Sequence, residues 1–251
     1  MMGGLRSVGG LARSLAIYRF RPWQVAALAR FYRQFLRPGD LAFDIGAHVG
    51  NRTLALRRAG ARVVAIEPQR LFHRFLRTTL PRDVTLIHGA LGARCGTAAI
   101  AVSRLHPTVS SLRPDIATSI GRSAGFTHVA WDARERIAVT TLDGLIARHG
   151  RPRLVKIDVE GYEAEVLAGL GHALPVVAFE YLPADLAVAE ACASRLAALG
   201  PYRFNLVRGE AHGFALPSWT NGGGLLRALA EIARDNRSGD IYAALPDAVP
   251  S

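Results

Sequence analysis

The sequence predicts an α/β fold built on a mostly parallel sheet, and two observations support this prediction. Apolar runs with the length of strands occur at 41–45, 62–67, 84–88, 97–102, 137–141, 153–158, 175–180, 202–207 and 240–244. Helical patterns separate many of these runs, at 51–59, 69–79, 143–149, 162–169, 185–199 and 224–235. Strands that alternate with helices are typical of a doubly wound sheet. The last two runs follow the final long helices closely, which predicts that the sheet ends in an antiparallel pair.

The first run continues into a glycine-containing loop, Asp44-Ile-Gly46-Ala-His-Val-Gly50, and the next run ends in Glu67. Strand, glycine turn, helix, strand and acidic residue is the order in which an open α/β sheet holds a nucleotide-like ligand. Glycine suits positions 46 and 50 because the chain turns tightly there and a ligand can approach a backbone that has no Cβ atom.

The spacing of this loop favours S-adenosylmethionine over NAD as the ligand. A dinucleotide fingerprint has three glycines and grips a pyrophosphate, whereas this loop has two glycines and begins with an acid. Asp44 would repel a phosphate group but would suit the ammonium group of S-adenosylmethionine. We expect Glu67 to bind the ribose, with its two carboxylate oxygens accepting hydrogen bonds from two sugar hydroxyls.

A second group of charged residues lies in the segment Leu154–Glu163, which reads Leu-Val-Lys-Ile-Asp-Val-Glu-Gly-Tyr-Glu. Because side chains alternate along a strand, Lys156 and Asp158 share one face. An unpaired lysine in such an apolar strand would cost on the order of several kcal/mol, so Lys156 needs a carboxylate partner or a place in the site. The partner is expected to be Asp158 or Glu180. Asp158 ends the strand, where open α/β sheets bind their ligands.

Composition and charge favour one large domain without a bound metal. The chain has 251 residues, 50% of them hydrophobic, which suits a single α/β domain. Its net charge of +11 would suit an anionic partner such as nucleic acid or a membrane surface. The arginines are scattered along the chain, however, so we attribute most of the excess to compositional bias and expect no nucleic-acid partner. Cys95 and Cys192 lack Cys-x-x-Cys spacing and the histidines lack metal-ligand spacing, so neither a metal nor a disulfide framework is expected.

Residues 1–35 are predicted to form an N-terminal amphipathic helical segment before the main domain at 36–251. Apolar residues and arginines at 11–36 form a pattern of one or two helices broken near Pro22. Such a helix can contact a membrane surface, but covering the sheet or the cofactor site is the favoured interpretation. No apolar stretch reaches the ~18 residues of a membrane span and no signal-peptide core is present, which predicts a soluble, cytoplasmic protein. One long irregular insertion is predicted at 103–136.

Six segments of the sequence share their residues with one known family. They are Leu36–Asn51, Ala65–Pro68, Ala90–Gly92, Thr141–Asp143, Val155–Glu163 and Val166–Gly169. Together they resemble the FkbM family of S-adenosylmethionine-dependent methyltransferases, and the Lys-Ile-Asp-Val-Glu-Gly segment is the most specific of them. The resemblance implies a Rossmann-like class I methyltransferase fold, with a mostly parallel seven-stranded sheet, helices on both faces and an antiparallel last strand.

The resemblance also implies a reaction and a site. Methyl transfer in this family goes usually to oxygen, on acceptors such as sugars, glycolipids or polyketide-type natural products. The implied cofactor contacts are Asp44, Gly46, Ala47, His48, Gly50, Asn51, Glu67, Pro68, Ala90 and Asp158. The N-terminal 35 residues and the tail after Pro183 match no motif of the family, and we expect them to bind the acceptor.

Asp158 is the predicted catalytic residue, either as a base or as the group that positions the acceptor hydroxyl. Lys156 is predicted to tune it, and His106 or His128 from the insertion is the alternative base. A sulfonium donor already carries a good leaving group. Alignment of the acceptor and exclusion of water are therefore expected to contribute most of the rate.

Two other classes of function stay open. The basic charge suggests a nucleic-acid methyltransferase, but such an enzyme needs a pocket for an extruded base, often announced by an Asn/Asp-Pro-Pro-aromatic motif. This chain has Asp158-Val-Glu-Gly at that position. A methyltransferase-like binding domain without activity would be expected to lose its cofactor residues, yet Asp44, Gly46, Gly50 and Glu67 are present. A nicotinamide oxidoreductase is the weakest alternative because the third glycine is missing.

Overall fold

The computed structural model describes residues 22–103, 112, 133–232 and 237–250. Seven strands form its main sheet: β1 (Leu41–Ile45), β2 (Arg62–Glu67), β3 (Thr85–His88), β7 (Leu154–Ile157), β8 (Val176–Tyr181), β9 (Arg203–Arg208) and β10 (Gly239–Ala244). Their order across the sheet is β3-β2-β1-β7-β8-β10-β9. Neighbours are parallel except for β10, which runs antiparallel to both β8 and β9. The predicted mostly parallel seven-stranded sheet with an antiparallel last strand is confirmed.

The order of the strands marks the place where this sheet can bind a ligand. The chain passes outward from β1 through β2 to β3 and then returns, so that β7 lies on the other side of β1. Open α/β sheets bind ligands at such a reversal, beyond the carboxyl ends of the strands. The residues that follow β1 and β7 therefore face the expected binding crevice.

Three further strands form a small separate sheet: β4 (Ala90–Leu91), β5 (Gly96–Val102) and β6 (Ala133–Thr140). β6 lies between the other two, parallel to β4 and antiparallel to β5. It begins at Ala133 rather than at the predicted 137 because it pairs with β5 from its first residue. Within the predicted insertion the structure describes Ser103, Leu112 and the start of β6, and the alternative bases His106 and His128 lie outside the described residues.

Helices cover both faces of the main sheet, as predicted. One face carries α1 (Pro22–Tyr32), α2 (Asn51–Arg58) and α3 (Arg70–Thr79), and the other carries α4 (Leu142–His149), α5 (Glu163–Ala168), α6 (Leu186–Leu199) and α7 (Gly222–Ile232). Successive side chains of a strand point to opposite faces. Phe43 and Val155 accordingly pack with α4–α7, while Ala42 and Leu154 pack with α1–α3. Both faces of the central strands are thus apolar, so a charged residue within them needs compensation.

Helix α1 packs on the sheet through aromatic rings. Phe35, just beyond the helix, stacks on Tyr242 of β10 with ring centroids 5.6 Å apart, and Phe31 meets the same ring edge-on at 5.2 Å. Trp23 is the exception, with 66% of its surface exposed. Residues 11–21 of the predicted amphipathic pattern lie outside the described residues. Among the helices that the structure describes, none combines the length and the hydropathy that a membrane crossing requires.

Candidate cofactor and acceptor site

A cavity opens at the carboxyl ends of β1, β2 and β7. Its wall includes eight of the residues predicted to bind the cofactor: Gly46, Ala47, His48, Asn51, Glu67, Pro68, Ala90 and Asp158. Asp44 and Gly50 are not part of this wall, and Lys156 is fully buried behind it. Sequence reasoning missed several other residues of the wall, among them Arg52, Gln69, Glu160, Tyr162, Glu180 and Glu210.

A glycine holds the loop after β1 against the end of β7. Gly46 has a φ of +87°, and a Cβ atom there would clash with the backbone carbonyl oxygen of Asp158. The backbone N–H of Asp158 in turn donates to the carbonyl oxygen of Ile45 at 2.9 Å. Gly50, with φ of +80°, lies immediately before α2. The close approach that requires Gly46 is therefore between two strand ends, and it places Asp158 beside the cofactor loop.

Glu67 is buried, and both of its carboxylate oxygens accept a backbone hydrogen bond. The His48 N–H donates to Oε2 at 2.7 Å and the Gln69 N–H donates to Oε1 at 2.8 Å. Burial raises the pKa of Glu67 to about 8, although the two amides lower it. A carboxylate oxygen has two lone pairs, so each oxygen can still accept a hydroxyl. This is the capacity that two ribose hydroxyls need.

His48 shapes the loop through its backbone. Its φ of 49° is in the left-handed region, which is uncommon for a residue other than glycine. This conformation accompanies the hydrogen bond from its N–H to Glu67. The imidazole ring packs edge-on against Phe72 with centroids 4.3 Å apart, and burial lowers its pKa to about 4. His48 is therefore neutral at physiological pH.

Asp44 lies under the loop and fastens it to the helix that follows. It is 1% exposed, and its Oδ2 accepts a hydrogen bond from Thr53 Oγ1 at 2.5 Å. Thr53 belongs to the first turn of α2, so the carboxylate lies near the positive end of that helix. Burial raises the pKa of Asp44, and the Thr53 hydroxyl opposes this rise. The other oxygen, Oδ1, is buried and has no hydrogen-bond partner among the described residues. A contact between Asp44 and the ammonium group of a donor therefore stays a prediction.

A network of four charged groups lies at the wall of the cavity and directly behind it. Lys156 Nζ is 3.2 Å from Asp158 Oδ2 and 3.1 Å from Asp240 Oδ1, and it also donates to the carbonyl oxygen of Ile157 at 3.0 Å. Arg52 contacts the same two carboxylates, with Nη1 3.1 Å from Asp240 Oδ2 and Nε 3.6 Å from Asp158 Oδ2. The structure thus brings Lys156 to its predicted partner Asp158 and adds Arg52 and Asp240, which were not predicted.

The network fixes the protonation of Asp158. Burial alone would raise the pKa of its carboxyl group, but Lys156 and Arg52 together hold it below the ordinary value. Burial would likewise lower the pKa of Lys156, and Asp158 and Asp240 raise it instead. Asp158 is therefore ionised and oriented, and it accepts hydrogen bonds better than it holds a proton.

Three glutamates lie around Asp158. Glu160 follows it in the loop after β7 and has a φ of 54°, while Glu180 lies in β8. Burial and the neighbouring carboxylates raise the pKa of Glu160 and that of Glu180. Glu163 is buried and accepts the backbone N–H groups of Val159 and Gly161 at 3.0 and 3.2 Å. These two hydrogen bonds therefore hold the loop that carries Asp158 and Glu160 against the start of α5.

Comparison with known proteins identifies the family. A family model described as the methyltransferase FkbM domain matches residues 44–231. The chain belongs to the FkbM methyltransferase family. S-adenosylmethionine is the methyl donor that this membership assigns. The curated 31-O-demethyl-FK506 methyltransferase FkbM of Streptomyces tacrolimicus is 32% identical over 162 residues, which are 55% of this chain and 62% of that protein. This match thus spans less than two thirds of the relative's length.

Solved structures share the general shape at low identity. An O-methyltransferase from Bacillus cereus in complex with SAH is 13% identical with a TM-score of 0.44, and the match covers 89% of this chain and 81% of that one. A TehB-like SAM-dependent methyltransferase from Corynebacterium glutamicum is 11% identical with a TM-score of 0.45, over 92% of both chains. We draw no functional argument from likenesses of this size.

Proposed function

We propose that this chain transfers the methyl group of S-adenosylmethionine to a hydroxyl oxygen of a small-molecule, glycan or lipid-linked acceptor. The observation that carries the proposal is the meeting, in one cavity, of Glu67 at the end of β2 and Asp158 at the end of β7. Membership of the FkbM family supports methyl transfer. The name of the relative, a 31-O-demethyl-FK506 methyltransferase, supports oxygen as the atom that receives the methyl group.

The residues on the β1 and β2 side of the cavity fit the nucleoside end of the donor. Glu67 would accept the ribose hydroxyls with the lone pairs that its two backbone amides leave available. Ala47 and His48 would present the loop backbone, and Pro68 and Ala90 would supply apolar wall. The other predicted cofactor residues would shape or support the loop: Asp44, Gly46, Gly50 and Asn51.

Asp158 would act where the methyl group is transferred. The donor supplies a methyl group on sulfonium, whose S–CH3 electron pair stays on sulfur while the new O–CH3 bond forms. Asp158, held ionised by Lys156 and Arg52, would accept a hydrogen bond from the acceptor hydroxyl and align its oxygen. The hydroxyl proton passes to this carboxylate, or through it to water, as the oxygen attacks.

The acceptor would enter from the side formed by the C-terminal part of the chain. Glu210 and Ser238 both follow Pro183 and both line the cavity. Glu210 lies within the part of the chain that the family model matches, and Ser238 lies beyond it. Their position beside Asp158 and Glu180 supports the expectation that this tail helps to select the acceptor.

Transfer of a labelled methyl group tests the proposal. The purified chain and S-adenosylmethionine with a labelled methyl group would be incubated with separate panels of sugars, glycolipids, macrolide-type natural products and nucleic acids. We expect label as a methyl ether on a hydroxyl-bearing compound, identified by mass spectrometry. Transfer of the labelled methyl group to a nucleic acid would contradict the proposed class of acceptor and would favour a nucleic-acid methyltransferase. Tight binding of S-adenosylhomocysteine without transfer to any panel would instead favour a binding domain.

A further inference from the structure

Arg52 is the cationic side chain of the cavity wall. It belongs to the first turn of α2, it lines the cavity, and 16% of its side chain is exposed. No other lysine or arginine belongs to the described part of this wall. Burial lowers the pKa of His48 to about 4, and Lys156 is fully buried behind the wall. A ligand in the cavity therefore meets its permanent positive charge at Arg52.

The same wall is rich in carboxyl groups, which are poor partners for an anion. They belong to Glu67, Asp158, Glu160, Glu180 and Glu210. A carboxyl group repels an anion when it is ionised and offers a single hydrogen when it is protonated. A guanidinium stays charged and carries five N–H donors. An anionic group of a bound ligand is therefore stabilised best beside the guanidinium.

The ion pairs of Arg52 leave it able to bind a further carboxylate. Its Nε is 3.6 Å from Asp158 Oδ2 and its Nη1 is 3.1 Å from Asp240 Oδ2. Lys156 contacts the same two carboxylates at 3.2 and 3.1 Å, so the aspartates do not depend on the guanidinium alone. Two contacts also use only some of the five N–H donors. Arg52 can thus bind a ligand without leaving the network.

The order of the strands places Arg52 beside the expected path of the donor. Glu67 ends β2, Asp158 follows β7, and β1 lies between these two strands. Neighbouring strands are about 4.8 Å apart, so a ligand that reaches both residues crosses the end of β1. There the cofactor loop leads into α2. The first turn of this helix contains no acidic residue, and a helix N-terminus favours an anion.

We infer that Arg52 binds the α-carboxylate of S-adenosylmethionine and makes the chain select a donor that carries this group. The carboxylate is the anionic group of this donor, whose sulfonium and ammonium groups are positive. A guanidinium binds a carboxylate through charge-assisted hydrogen bonds. Because Arg52 also contacts Asp158, this bond would hold the sulfonium end of the donor beside that residue. The inference rests on the donor of the family and not on the proposed acceptor.

Two ligands that differ only in the carboxylate test the inference. One is S-adenosylhomocysteine, and the other is its decarboxylated analogue, in which a hydrogen replaces the carboxylate and the amino group is kept. Calorimetry would measure the affinity of the full chain for each ligand in the absence of an acceptor. We expect the wild type to bind S-adenosylhomocysteine about 10-fold or more tightly than the analogue. Arg52→Gln should weaken binding of S-adenosylhomocysteine by about 10-fold or more and binding of the analogue by less than about two-fold.

Two further variants control for indirect effects. Arg57→Gln is the matched control, because Arg57 lies on the same helix but pairs with Asp83 outside the cavity wall. It should bind both ligands as the wild type does. Arg52→Gln also takes a partner away from Asp240, which can lower stability. The double variant Arg52→Gln/Asp240→Asn removes that unmatched charge, and it should show the same loss of preference for the ligand with a carboxylate.

The possible outcomes separate carboxylate binding from a structural role of Arg52. A wild type that binds both ligands equally well would overturn the inference. Equal weakening of both ligands in the two Arg52 variants would show that Arg52 only supports the shape of the cavity, and a preference that survives in these variants would place the carboxylate elsewhere. Either result overturns the inference. The proposed function is tested separately, because these measurements contain no acceptor and no methyl transfer.

Discussion

Replacement of Gly46 by alanine should disturb the fold and the site together. A backbone φ of +87° is unfavourable for alanine by about 1–2 kcal/mol, whatever surrounds the residue. The added Cβ would also lie closer than 3.0 Å to the backbone carbonyl oxygen of Asp158. Because this oxygen belongs to the backbone, no side-chain rotation can relieve the clash. Overpacking of this kind adds about 1–3 kcal/mol. We therefore expect Gly46→Ala to lose about 2–5 kcal/mol of unfolding free energy and to shift Asp158 away from the loop.

Gly39→Ala is the matched control for this substitution. Gly39 has a similar φ of +91°, but among the described residues no atom beyond its chain neighbours lies within 4 Å of the position that an added Cβ atom would take. It should therefore lose only the backbone part of the free energy. Urea denaturation of the two variants measures the difference, and binding of S-adenosylhomocysteine and methyl transfer should fall only in Gly46→Ala. Equal stability of the two variants would refute the idea that the contact with Asp158 requires the glycine.

The remaining predictions concern buried charges. Lys156→Met should lower the free energy of unfolding by about 3 kcal/mol, because Asp158 and Asp240 would keep only Arg52 as a partner. Urea titration measures this loss, and the double variant Lys156→Met/Asp240→Asn should recover part of the lost stability. A Lys156→Met variant as stable as the wild type would contradict the prediction. Glu67→Ala should weaken S-adenosylhomocysteine binding by about 2–4 kcal/mol in calorimetry, and unchanged affinity would remove Glu67 from the site. The free protein should lose stability as pH rises from 4.5 towards 8, since Glu67 in the folded state has a pKa of about 8 and retains a proton that the unfolded chain releases. In Glu67→Gln the urea midpoint should fall less steeply with pH across this window, although Glu163, with a pKa of about 7, retains part of the slope. A slope identical to that of the wild type would show that Glu67 does not cause the effect.

The fold and the cofactor loop were predictable because their signals are local. Alternating strand and helix patterns predicted the sheet, and Glu67 was proposed as a ribose ligand because an acidic residue ends the strand after the glycine loop. Lys156 and Asp158 are two residues apart on one strand and must share a face. Their side chains accordingly meet, with Nζ 3.2 Å from Oδ2.

Contacts between distant segments were not predictable in this way. Asp240 meets Lys156 because β10 lies next to β8 in the sheet, and this neighbourhood depends on strand order rather than on sequence spacing. One signal was available, since Asp240 interrupts an apolar strand as Lys156 does. The hydrogen bond from Thr53 of α2 to Asp44 Oδ2 was likewise not predicted, because Thr53 lies nine residues further along the chain.

The carboxylate cluster of Asp158, Glu160 and Glu180 shows the same limit at the site itself. Glu160 lies in the loop after β7 and Glu180 lies in β8, and their oxygens meet with that of Asp158 only once β7 and β8 pair in the observed register. Glu180 was predicted only as a possible partner of Lys156, and no pattern within either segment predicts its proximity to Glu160. Only the assembled sheet therefore brings these carboxylates together.

The position of Asp158 at the junction between donor and acceptor is the central claim. It is tested most directly by measuring single-turnover methyl transfer and S-adenosylhomocysteine affinity on one preparation of Asp158→Asn. This substitution keeps the shape of the side chain and removes its charge. We expect methyl transfer to fall by about 100-fold or more while donor affinity changes by less than about two-fold. Full methyl transfer by Asp158→Asn to its natural acceptor would contradict the claim.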